Sequence, residues 1–161
     1  MKRVITALVT VVVVMCGVAA VGIWLLVRDQ PQQLPEISAY STGHTIRVGP
    51  YKYCKVLNLD DCEFAQTVGE LHVSDRYPVQ VSVPGVISRG LWGLLRLYDN
   101  PADNGEDRMR PGTFASTVAT VGPHGGRLDK IEVHLFTRAR TPTGEEWFVA
   151  HAVWSVSMVW R

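Results

Sequence analysis

Residue types that could support hydrolysis are present, but their spacing gives no recognisable catalytic pattern. A hydrolase needs a nucleophile, a base and an orienting acid close together. The chain has no Gly-x-Ser-x-Gly nucleophile elbow, and Ser155 and Ser157 alternate with apolar residues as on one face of a strand. We therefore expect no catalytic residue and no enzymatic activity. The histidines that could act as a base are His44, His72, His124, His134 and His151.

Two groups of residues could bind a metal ion, and both have a simpler interpretation. His134 and His151 could face each other across a hairpin, although two ordinary surface or edge histidines are favoured. The segment Asp99 to Asp107 is rich in acidic and amide side chains, as calcium loops are. EF-hand spacing fails there because Ala102 takes a ligand position, so a solvated connecting loop is favoured. We expect no metal and no cofactor.

Cys54 and Cys62 are the two cysteines outside the apolar N-terminal stretch. Two thiols in an oxidising compartment most often pair, and the chain-entropy model gives a loop of this size about 2.5–3 kcal/mol of stabilisation. A zinc site using both sulfurs and His72 is the alternative. Its cysteine spacing is wider than zinc sites usually show, so a disulfide is predicted.

Aromatic residues are the remaining candidates for function. Among the five tryptophans, Trp147 is placed by strand alternation on the face opposite Phe148 and Trp154. One of these faces should meet the core, and the other can meet a partner, because exposed aromatic side chains often anchor interfaces. Simple coverage of a sheet by Trp147 is an equal alternative. The candidate partner surface consists of Trp147, His151 and Trp160.

These side chains must be positioned by strands, because apolar residues recur at every second position. Val79, Val81 and Val83 alternate with polar residues, and Glu146 to Trp160 reads as one long strand. That strand should form a hairpin with Leu128 to Arg138. A helical turn at most is expected at Pro84 to Gly90.

The strand spacing predicts an all-β domain over residues 36–161. Seven or eight antiparallel strands, separated by Gly-Pro and Asn-Gly turns, indicate a β-sandwich of immunoglobulin or fibronectin type. Trp92 should be the buried tryptophan of a central strand. The two cysteines are too close in sequence for an inter-sheet bridge and should staple a loop or hairpin at a sheet edge.

The N-terminal residues 1–28 predict one transmembrane helix. Val4 to Val27 contains no charged side chain, and at ~1.5 Å per residue it would be about 36 Å long, enough to cross a bilayer. A cleaved signal usually has a shorter apolar region. Lipidation of Cys16 would require a small residue before it, where Met15 stands. An uncleaved signal anchor is therefore favoured over both alternatives.

The flanking charges predict the orientation of this anchor. Lys2 and Arg3 should stay in the cytoplasm, Trp24 and Arg28 should lie at the outer interface, and the C-terminal domain should be extracytoplasmic. Residues 29–35 form a Pro/Gln-rich linker whose reach is about 22 Å at ~3.1 Å per residue. The domain should thus sit against the outer surface of the cytoplasmic membrane.

A recognisable pattern of strand and turn residues is formed by Val79–Pro84, Leu91–Leu95 with Tyr98, Gly126–Leu128 with Ile131–Val133, and Ala152–Val156. This pattern resembles an actinobacterial envelope protein family catalogued as a domain of unknown function. The resemblance covers roughly residues 36–158 and implies an envelope location, without any activity or catalytic residue. Many members of that family look like lipoproteins, from which this chain departs at Cys16.

These observations predict a non-enzymatic accessory subunit of a cell-envelope complex, with a lipid transporter or an envelope-assembly machine as host. Its partners would be integral membrane proteins and the bilayer. A module that binds lipid or a small ligand between the sheets is the alternative, and an envelope enzyme is the least favoured one. The net charge of +1, without a basic stripe, argues against nucleic-acid binding.

Overall fold

A computed structural model describes residues 2–28, 34–140 and 144–161, and these form two separate units. The first unit contains helix α1 (Lys2–Arg28). Its segment Thr10–Arg28 is apolar and long enough to cross a membrane, a property that anchors and signal sequences share. Most of the predicted linker, residues 29–33, lies outside the described residues.

The second unit is a β-domain with eleven strands among its described residues, more than the seven or eight predicted. The difference arises because short hairpins occupy segments that show little alternation, such as β3 and β4. The strands are β1 (Ile37–Ser41), β2 (His44–Val48), β3 (Lys52–Lys55), β4 (Asn58–Glu63), β5 (Val68–Val73), β6 (Val79–Ser82), β7 (Leu91–Tyr98), β8 (Gly105–Met109), β9 (Ala115–Val118), β10 (Leu128–Arg140) and β11 (Glu146–Trp160).

The strands form two sheets. The smaller sheet has the order β2-β1-β6-β9, and the larger has the order β4-β3-β11-β10-β7-β8. Strand β5 pairs with the C-terminal half of β11 and is parallel to it, whereas the other pairs are antiparallel. The body is therefore a two-sheet β-structure, with one parallel pair that the sequence did not predict.

The core lies between the two sheets and follows from the alternation of apolar residues along the strands. Val79 and Val81 of β6 are fully buried, as are Trp92 of β7 and Trp154 of β11. Burial of large aromatic side chains contributes much of the hydrophobic stabilisation in a domain of this size. The prediction that Trp92 is buried in a central strand is confirmed.

Two connections match their predictions. The short helix α2 (Gly85–Ser88) is the helical turn expected between Pro84 and Gly90. Strands β10 and β11 form the expected long hairpin, from Lys130↔Ser157 to Arg140↔Glu146. Its turn residues 141–143 lie outside the described residues.

One irregularity in this hairpin changes which side chains share a face. Leu135 pairs with Ala152 and Phe136 pairs with Ala150, so His151 is an extra residue in β11, a β-bulge. The bulge shifts the alternation by one, which places Phe148 on the face of Phe136 and Arg138. The prediction that Phe148 shares a face with Ala152 and Trp154 is therefore corrected. The prediction that Trp147 lies opposite Trp154 is corrected as well, because Trp147 pairs with Ala139 on the face of Leu135.

Candidate functional site

The β3–β4 hairpin is closed by a disulfide and ends in two exposed apolar residues. Cys54 and Cys62 are register partners with an S–S distance of 2.02 Å, so the predicted disulfide is present and staples the edge of the larger sheet. Val56 and Leu57 form the two-residue turn, and the side chain of Leu57 is 100% exposed. Lys55 binds Asp61 at 2.6 Å beside the turn.

The tip of the β10–β11 hairpin is the second exposed apolar feature. Pairing of β10 with β7 stops at Phe136, so Thr137–Arg140 and the facing residues of β11 continue as a two-stranded ribbon. On this ribbon Trp147 and Phe148 are each 47% exposed. The guanidinium of Arg138 lies 5.9 Å from the centre of the Phe148 ring, a cation–π distance.

His151, which the sequence placed on the candidate partner surface, is buried and therefore does not belong to an exposed surface. It is only 5% exposed, because the bulge turns it toward the β3 side of the sheet, where its ring packs edge-on against Tyr53 at 6.0 Å. Its Nδ1 lies 3.2 Å from the carbonyl oxygen of Cys54. A carbonyl only accepts, so Nδ1 carries the proton. Burial lowers the pKa of His151, and this hydrogen bond opposes the shift only partly.

Trp160 also lies apart from Trp147. The two residues are at opposite ends of β11, and Trp160 packs against the core with only part of its side chain accessible. Its Nε1 donates to the carbonyl of Leu128 at 2.9 Å, and Arg127 lies 5.1 Å from its ring centre. The three predicted residues thus do not form one surface, and Trp147 is the exposed member.

His134 contacts one carboxylate of its own strand and one of β8 on the outer face of the larger sheet. Its Nε2 donates to Glu132 at 3.1 Å, and its Nδ1 lies 3.7 Å from Glu106. The hydrogen bond from His134 lowers the pKa of Glu132 despite partial burial. His151 does not face His134 in the register, because Val153 does.

The acidic segment Asp99–Asp107 is built around a buried carboxylate. Asp103 accepts from the backbone N–H groups of His124 at 2.9 Å and Gly126 at 2.8 Å, and the His124 ring lies 2.7 Å away. Burial alone would raise the pKa of Asp103, but these donors hold it below its ordinary value. Gly126 permits this close approach, since a Cβ there would lie 2.6 Å from the Asp103 carboxylate. The Asp103 carboxylate therefore links its own loop to the loop that contains His124 and Gly126.

Other predicted sites are placed as follows. In the described part of the chain, no group of three or more His, Cys, Asp or Glu side chains is arranged to hold a metal ion. Within α1, the Arg28 guanidinium lies 5.1 Å from the Trp24 ring centre. Side chains of Lys2 and Arg3 lie outside the described residues. The interfacial roles of all four residues stay predictions.

Sequence reasoning missed Val56, Leu57 and Phe148. For Val56 and Leu57, the signal in the sequence was an apolar pair at a tight hairpin turn, where Gly, Asn or Asp is usual. Two further exposed apolar residues are Val86, in the helix before β7, and Phe114, directly before β9. Such side chains can bind an apolar partner or a lipid surface, and they offer no nucleophile or proton donor.

Comparison with known proteins gives one family and several relatives. The profile described as "Protein of unknown function (DUF2771)" matches residues 30–159. Uncharacterized proteins of Mycobacterium bovis and of two strains of Mycobacterium tuberculosis are 52% identical over 161 residues, covering 99% of this chain and 99% of each relative. No solved structure gives a significant match.

Proposed function

The chain belongs to the DUF2771 family, and from this premise we propose that it is a membrane-anchored, non-enzymatic accessory subunit of a cell-envelope complex. Helix α1 would hold the protein in the cytoplasmic membrane, with its N-terminus inside and the β-domain outside. A lipid transporter or an envelope-assembly machine is the proposed host.

The observation that carries this proposal is the combination of one apolar helix with a disulfide-bonded β-domain. A disulfide favours an oxidising, extracytoplasmic location for the domain. Two-sheet scaffolds of immunoglobulin or fibronectin type commonly serve as binding modules, and assigning this body to that type is part of the proposal.

The contacts of the titratable residues support a non-enzymatic role. His134 and His124 contact carboxylates, and His151 is buried against a backbone carbonyl. In each case the partner explains the histidine structurally, without a nucleophile to activate.

Binding of a lipid inside the domain is the second candidate, and the packing speaks against it. Trp92 and Trp154 fill the space between the sheets and are fully buried, together with Leu71, Leu94 and Val133. A lipid chain would have to displace these side chains, at the cost of several kcal/mol that accompanies loss of core packing.

Purification of the tagged full chain from native membranes in mild detergent tests the proposal. We expect one or more integral membrane proteins to co-purify in constant proportion. A variant in which the sequence of α1 is replaced by an unrelated membrane span shows whether the helix or the β-domain carries the association. Recovery of the chain alone under all mild conditions would contradict membership of a complex.

A further inference from the structure

We propose that the two hairpin tips of the β-domain dock on the surface of the lipid bilayer that holds α1. The docking surface, here called the tip surface, consists of Val56, Leu57, Trp147 and Phe148. This inference rests on the proposed membrane anchoring and adds to it an orientation and a lipid-contact site for the domain.

The two tips lie at the same end of the larger sheet. Strand β3 is antiparallel to β11, with Tyr53 paired to Ala152, so the chain leaving β3 toward Leu57 runs toward the N-terminal end of β11. That end carries Trp147 and Phe148. Two separate hairpins therefore bring four apolar side chains to one end of the sheet, with Trp147 and Phe148 on opposite faces of their ribbon.

The first strand of the domain starts beside the middle of β11 and runs away from the tips. Trp154 Nε1 donates to the carbonyl of Pro35 at 2.8 Å, which places Pro35 beside the middle of β11. Thr42, just after β1, donates to the carbonyl of His72, whose register partner is Val159. Strand β1 thus runs away from the tips.

The length of the linker allows the tips to reach the membrane surface. From Trp154 to Trp147 the strand advances by about 23 Å at ~3.3 Å per residue. The linker allows at most about 22 Å between Arg28 and Leu34, at ~3.6 Å per residue. Since Arg28 follows the apolar segment directly, the tips can reach the depth at which the chain leaves the bilayer.

The chemistry of the tip surface suits the interfacial region of a bilayer. Tryptophan and phenylalanine partition there, and flanking arginine and lysine side chains extend to the headgroups. Arg138 stacks on Phe148, and Lys55, which is ion-paired with Asp61, flanks the Val56–Leu57 turn. A fully exposed leucine at a turn has no contact within the described domain to offset its hydration, and insertion into lipid would provide one.

Depth measurement with a spin label tests this inference. The full chain carrying Cys16→Ser and Leu57→Cys is labelled and reconstituted into vesicles of phosphatidylethanolamine and phosphatidylglycerol. Cys54 and Cys62 are disulfide-bonded and do not react. The matched control is Tyr77→Cys, an exposed aromatic position near the start of β6, at the opposite end of the domain.

We expect the ratio of oxygen to nickel-chelate accessibility to be several-fold higher for the label at position 57 than at position 77. Equal, water-like ratios in a chain that floats with the vesicles would overturn the docking and leave the anchor intact. A chain that does not float would overturn both the docking and the anchor. Shielding of position 57 in native membranes but not in lipid vesicles would also overturn it, in favour of a protein partner.

Discussion

At the residue scale, the bulge at His151 shows how one inserted residue changes the role of a side chain. A regular strand would keep His151 on the face of Val153 and Ser155. The extra residue instead turns its ring toward Tyr53 and the Cys54 carbonyl, in a site that excludes water. The histidine thus becomes part of the packing that holds β3 against β11.

Burial of His151 predicts a pH dependence of stability. The pKa of His151 is depressed in the folded protein, so near pH 6 the unfolded chain binds a proton that the folded chain does not. The free energy of unfolding should therefore fall as the pH is lowered from about 6.5, the ordinary histidine value, toward the folded pKa. Urea unfolding of the full chain in detergent, followed by tryptophan fluorescence between pH 5 and 7.5, measures this.

The variant His151→Gln should reduce this slope, since glutamine keeps a donor for the Cys54 carbonyl and does not titrate. His44→Gln, at an exposed position, is the matched control for removing one imidazole. If His151→Gln and the parent chain showed the same pH slope, burial of a neutral His151 would be contradicted.

At the element scale, the disulfide ties β4, which pairs only with β3 among the described strands, to the rest of the larger sheet. Strand β4 is the edge of the larger sheet and has mostly exposed side chains. An isolated hairpin of this kind is marginally stable at best. The covalent link therefore decides whether the Val56–Leu57 turn is held in a fixed position.

Replacing both Cys54 and Cys62 with serine should lower the free energy of unfolding by about 2.5–3 kcal/mol, because the loop is no longer closed in the unfolded chain. Urea unfolding at constant pH measures the difference. The control is Cys16→Ser, which removes a cysteine that is not part of the disulfide. An unchanged unfolding free energy in the double serine variant would show that the disulfide does not stabilise the domain.

Local periodicity predicted those elements whose signal is carried by consecutive residues. The apolar helix, the long β10–β11 hairpin and buried Trp92 all follow from such patterns. The parallel β5–β11 pair does not, because partner choice between distant strands depends on tertiary packing rather than on either sequence alone. The bulge was hidden because Phe148, Ala150, Ala152 and Trp154 keep a perfect alternation through it.

The candidate site was predictable only in part, for a related reason. Trp147 stood out by residue type, and its exposure depends on the hairpin extending past β7. Trp160 has the same residue type, yet it hydrogen bonds to Leu128 and stacks with Arg127. Side-chain exposure at strand ends is decided by the length of neighbouring strands, which alternation does not encode.

At the scale of the whole molecule, the surfaces of the two units suit different environments. The described apolar side chains of helix α1 are mainly Val, Leu and Ile, and they are exposed. None of the segment Thr10–Arg28 is buried. The β-domain, by contrast, has a closed core and a disulfide. The proposed single-pass anchor with an outside domain would give the first unit a lipid environment and the second an oxidising aqueous one.

This arrangement predicts which side of the membrane the domain occupies. In intact spheroplasts, a membrane-impermeant maleimide should label Tyr77→Cys in a Cys16→Ser background, because positive charge at Lys2 and Arg3 keeps the N-terminus inside. The matched control carries a cysteine inserted between Met1 and Lys2, and this cysteine should react only after lysis. Labelling of position 77 only after lysis would show that the domain lies in the cytoplasm, opposite to the prediction. Labelled protein in the medium rather than in the membrane would show that α1 is a cleaved signal.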